Sequence, residues 1–107
     1  MGNCHLISVE DRFELSTGGL VVLPALPVPT TVSKQFQAQV TVERPDGRRM
    51  EAASIFDLQH HKLLAGNGGW VIVITFRGLS KEDVPIGSRI LVDEQIAALW
   101  QREKYSA

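Results

Sequence analysis

The chain has 107 residues, 44% of them apolar and 21% charged, which suits one domain with its own core and excludes two. Eleven Lys and Arg against twelve Asp and Glu leave a formal charge of -1, so no bulk basic field holds a nucleic acid by counterion release. The longest apolar run, Trp70 to Phe76, falls well short of the about 20 residues a membrane-spanning helix needs.

The opening Met1-Gly2-Asn3-Cys4-His5-Leu6 pairs a Gly after the first Met with a nearby Cys, as dual lipidation does, but Leu6 stands where that motif carries Ser or Thr. No charged start, apolar stretch and small-residue cleavage site follow one another, so no secretory leader is expected. The single Cys4 excludes an internal disulfide, and a reducing cytoplasm is the expected setting. Cys4 next to His5 lacks a second ligand pair at a metal-binding spacing, so Cys4 is read as a small, partly buried residue of a first strand.

From Leu6 the apolar period is two. Ile7, Val9, Phe13 and Leu15 share one face with Asp11, and Ser8, Glu10, Arg12 and Glu14 share the other, which predicts a half-buried strand with one polar residue turned inward. Ser16-Thr17-Gly18-Gly19 turns the chain, and Leu20 to Leu23 forms a short buried strand that Pro24 stops. Pro24 to Thr31 then runs extended along an edge or rim. Phe36, Ala38, Val40 and Val42 alternate with polar residues, Pro45-Asp46-Gly47 makes a hairpin, and a return strand runs from Arg49 to about Leu58.

His60, His61 and a glycine-rich stretch to Gly69 form a loop. Trp70 to Phe76 is apolar on both faces apart from Thr75, as in a central strand or one covered from outside. Ser80-Lys81-Glu82-Asp83 predicts one helical turn, and Arg89 to Val92 a last short strand. Beyond it the period becomes helical: Asp93 caps, and Ile96, Leu99 and Trp100 form one apolar stripe. Short strands at even spacing argue for a small closed barrel over residues 3–92, followed by an amphipathic helix over 93–104.

Two segments resemble a known family. Leu6-Ile7-Ser8-Val9-Glu10-Asp11-Arg12-Phe13 with Gly18-Gly19 and Val21-Val22 is similar to the opening of the second domain of elongation factor Tu. Val73-Ile74-Thr75-Phe76-Arg77-Gly78-Leu79, the charged turn after it and Gly87 resemble that domain's end. The resemblance spans residues 6 to 92 and implies a closed, six-stranded antiparallel Greek-key barrel. It also implies that Glu10, Asp11, Phe13 and Arg77 contribute to binding, since the Glu-Asp-x-Phe strand of the family helps to line the pocket for the aminoacyl end of transfer RNA. The departures are Leu23-Pro24 where the family has Thr-Gly, and Ser33 near the position of a usual glycine. No Gly-x-x-x-x-Gly-Lys-Ser/Thr loop is present, so no nucleotide is expected.

No residue set points to chemistry. His60 and His61 as strand neighbours face opposite ways and do not share an ion. Ser16 and Ser54 lack a nucleophile elbow, and the acidic pairs Glu82-Asp83 and Asp93-Glu94 read as cap chemistry. Arg44, Arg48 and Arg49 cluster at the hairpin tip without interleaved aromatics, a pattern of solubility before phosphate contact. The expectation is therefore a binding module with no enzymatic activity, metal or cofactor. It would mediate protein–protein interaction or self-association through the barrel surface and the helix. Its interface candidates are Trp70, Ile96, Leu99 and Trp100. The helix covers the Trp70 strand either of its own chain or of a second copy, the latter giving a homodimer. The alternative is a factor that contacts RNA or the ribosome.

Overall fold

A computed structural model describes residues 3–60 and 69–105. Its strands are β1 (Cys4–Ser8), β2 (Asp11–Glu14), β3 (Gly19–Leu26), β4 (Phe36–Glu43), β5 (Arg49–His60), β6 (Trp70–Arg77) and β7 (Arg89–Val92), followed by helix α1 (Glu94–Tyr105). All pairings are antiparallel and form one seven-stranded sheet in the order β1-β7-β4-β5-β6-β3-β2. The sheet curls into a half-barrel around Leu20, Val22, Val40, Val42, Phe56, Ile72, Ile74, Phe76 and Ile90, all fully buried. Phe36 stacks on Phe56 in this core with ring centroids 4.8 Å apart.

The expected closed barrel of six strands is not what forms. The run expected as one strand is divided at Val9 and Glu10, and its halves lie at opposite ends of the sheet, β1 on β7 and β2 on β3. The Val9 N–H donates to the Ser88 carbonyl at 2.7 Å and the Glu10 N–H to the Leu23 carbonyl at 2.8 Å, so the chain crosses between the two ends within two residues. No ladder joins β1 to β2 among the described residues. This break also reverses the alternation. Ile7 and Val9 are buried, yet Phe13 and Leu15 are 44% and 40% exposed, because the strand restarts with its pleat inverted.

Two further expectations change in detail. Leu20 to Leu23 does not end at Pro24: β3 continues to Leu26, because the ladder with β6 skips the proline. Val22 pairs with Ile74 and Leu26 with Ile72, so Leu23, Pro24 and Ala25 face only Val73, and the missing Pro24 donor leaves no ladder bond broken. His60 ends β5 opposite Trp70 rather than opening a loop; His61 lies outside the described residues. The Ser80 segment is a single tight turn closed by successive bonds from the Asp83 N–H to the Ser80 carbonyl and from the Val84 N–H to the Lys81 carbonyl, with the expected cap and acid facing each other. Its Asp83 carboxylate accepts hydrogen bonds from the Ser80 N–H and hydroxyl at 2.8 and 3.2 Å, and the Arg44 guanidinium braces it from the hairpin through the Asp83 carbonyl.

Other local readings hold. The Arg44–Arg48 connection closes with the Gly47 N–H on the Arg44 carbonyl, Gly47 at φ 90°, and Asp46 accepting the Arg48 N–H. A left-handed glycine at the fourth turn position is what lets so short a loop reverse the chain. At the other terminus, Asp93 caps α1 through a 2.8 Å bond from the Ile96 N–H.

Candidate functional site

The two faces of β3, β5 and β6 are both apolar in part. Leu20, Val22, Ile72, Ile74, Phe76 and Phe56 fill the core, while Val21, Val71 and Val73 form a second buried cluster on the opposite face, joined by Ala25. Pairing of β2 to β3 places Phe13 beside Val21 and Asp11 beside Leu23, so β2 extends that outer face. The twist of four neighbouring strands, β5-β6-β3-β2, hollows it into a groove of about 910 Å³.

Valines make the floor of the groove. Phe13 and Leu15 stand exposed at one side, Ile55, Asp57 and Gln59 of β5 at the other, and Gln35 contributes from the segment before β4. Charge is sparse: of the lining residues only Asp57 and Arg77 are ionisable. Asp57 is engaged by the Gln59 amide, which donates to its Oδ2 at 2.7 Å. Arg77 sits at the end of β6 opposite Gly19, exposed, and no carboxylate among the described residues forms an ion pair with it. The groove is thus an apolar trough with one uncompensated guanidinium at its end.

The residues singled out by resemblance separate here. Phe13 and Arg77 both line the groove, at its side and its end. Glu10 and Asp11 are exposed at the start of β2, and the Asp11 Oδ1 accepts the N–H of Arg12 at 2.8 Å. Phe13 does not join the core, and Asp11 does not face inward, for the pleat reversal described above.

The interface candidates separate as well. Ile96 and Trp100 pack against the core cluster of their own chain. The Trp100 indole N–H donates to the Pro27 carbonyl at 2.8 Å and its ring lies 6.0 Å from that of Phe56. The helix therefore packs on its own half-barrel at Phe56 and the proline-rich segment. Leu99 is half-buried. Trp70 is 55% exposed and meets only the edge of the His60 ring, centroids 5.1 Å apart, among the contacts of aromatic rings described.

The hairpin arginines are committed to protein partners. Arg49 and Arg89 share the Glu43 carboxylate at 2.8 and 3.1 Å, Arg44 holds Asp83, and Arg48 lies 3.7 Å from Asp46. Among the described residues no three His, Cys, Asp or Glu side chains converge as metal ligands, and no helix is long and apolar enough to cross a membrane. In the sequence the groove leaves one trace, the apolarity of Trp70 to Phe76 on both faces, and no local pattern places Phe13 beside its outer-face valines. Comparison of the chain with protein-family models, curated proteins and solved structures finds no match.

Proposed function

We propose that this protein is a non-catalytic binding module and that the groove on β5-β6-β3-β2 is its binding face. One observation carries the reading: an apolar trough of ligand-accommodating size, flanked by exposed Phe13 and Leu15, on a sheet whose other face already holds the core. Burying those side chains against a ligand gains roughly 25 cal/mol for each Å² of apolar surface removed from water. The groove also holds Phe13 and Arg77, two of the four positions carried by the resemblance to the elongation factor Tu barrel, which supports a shared use of this surface.

The helix has a different task in this reading. With Ile96 and Trp100 turned onto their own core, it completes the fold, and recognition falls to the groove. Contact with RNA through the hairpin tip has less behind it, since Arg44 and Arg49 are already spent on Asp83 and Glu43.

The test is titration with an apolar dye whose emission rises on leaving water. Saturable binding to the full chain, weakened at least tenfold by Leu15→Asp while the thermal melt is unchanged, is the expected result. Dye binding that Leu15→Asp leaves intact would remove the groove from consideration.

A further inference from the structure

Resting on the groove as binding face, we propose that its ligand is a long-chain monocarboxylate, the acyl chain lying along Val71, Val73 and Val21 and the carboxylate seated on Arg77. Three features select this chemistry. The first is length. Val71, Val73, Thr75 and Arg77 point to the same face of β6, and at about 3.3 Å per residue they lay out a track of about 20 Å that ends on the guanidinium. A linear chain with its charge at one terminus matches a track with its charge at one terminus.

The second is charge complementarity. Arg49, Arg89, Arg44 and Arg48 all have carboxylate partners, whereas Arg77 has none among the described residues. Its planar fork meets a carboxylate through two parallel hydrogen bonds. The groove's other ionisable group, Asp57, is opposite Val73, four residues along β6 from Arg77, and its Oδ2 already accepts from Gln59. It leaves the Arg77 end free for an anion.

The third feature disfavours a peptide. Every peptide residue brings a donor and an acceptor that need partners when buried, and the three valines of the floor offer none, leaving Thr75 as the one polar side chain on the β6 track before Arg77. Strand addition at the neighbouring edge is obstructed too, because β2 has only four residues and the Arg12 N–H is taken by Asp11. Methylene groups make no such demand, and each one buried adds to affinity.

The experiment is calorimetric titration of the full chain with octanoate, laurate and dodecanol, below the concentration at which laurate forms micelles. Arg77→Gln and Phe13→Ser serve as variants; both residues are exposed, and unchanged thermal melts confirm that both variants fold. The expected result is one laurate per chain, octanoate weaker, and dodecanol weaker than laurate by about tenfold, the worth of a charge-assisted hydrogen-bond pair. Arg77→Gln should erase the preference for laurate over dodecanol, and Phe13→Ser should weaken both.

Dodecanol binding as tightly as laurate, or a laurate preference that survives Arg77→Gln, would overturn the carboxylate and leave the groove reading standing. A dimer in sedimentation that Phe13→Ser dissociates and laurate does not would give the groove to a second copy and overturn this inference also. If neither laurate nor dodecanol saturates and the apolar dye fails as well, the inference and the groove reading fall together.

Discussion

Ser88 is fully buried just before β7, and its hydroxyl has no hydrogen-bond partner among the described residues. Its backbone is well used, donating to the Pro85 carbonyl and accepting from the Val9 N–H where the chain crosses between sheet ends. The side chain contributes only an unmet desolvation cost, so Ser88→Ala should raise stability by about 1 kcal/mol. A urea midpoint that shifts upward at unchanged slope checks this; a midpoint that falls would mean that the hydroxyl has a partner. Gly78, with φ at 79° directly after β6, is the opposite case. A Cβ there meets no atom within 4 Å, so the roughly 1 kcal/mol expected to be lost in Gly78→Ala is backbone strain alone.

At the scale of the element, α1 joins the core through Ile96, Ala97 and Trp100, and Trp100 adds a hydrogen bond. Trp100→Phe keeps most of the contact with Phe56 but loses the bond to the Pro27 carbonyl, and should cost about 1 kcal/mol. Trp100→Ala also removes the ring and should cost roughly 2 kcal/mol, less than truncating a fully buried tryptophan because this one is half-buried. Equal denaturation midpoints for the two variants would contradict the role given to the indole ring. Elements whose signals are local were legible in the chain: Pro45-Asp46-Gly47 with its flanking alternation, and Asp93 with Ile96 and Trp100 at helical spacing. The misread elements were those decided by contacts distant in sequence. Pro24 ends a strand only where its missing donor is needed, and the shifted register against β6 removes that need. The division at Val9 and Glu10 is imposed by Ser88 and Leu23, far along the chain, and it turned Phe13 from an expected core residue into a groove residue.

For the whole molecule, the seven-stranded sheet leaves strand edges at β1 and β2. The β2 edge is short and is occupied in part by Asp11, whose carboxylate accepts the Arg12 N–H. Asp11→Ala frees that donor beside two exposed apolar side chains, and concentration-dependent association should appear in sedimentation velocity where the unaltered chain shows less. Unchanged sedimentation would show that the carboxylate does not guard the edge. The groove belongs to this scale as well. It is made by β2, β3, β5 and β6, which lie up to about sixty residues apart in the chain, and no local pattern foretells that Phe13 and Arg77 share one trough.

The central claim is that recognition happens on this outer face and not at the helix. Amide chemical-shift mapping during a laurate titration tests it most directly. Shifts concentrated at Phe13, Leu15, Val21, Val71, Val73 and Arg77, with α1 unmoved, are the expected result. Shifts concentrated at Ile96, Leu99 and Trp100, with the groove silent, would contradict it.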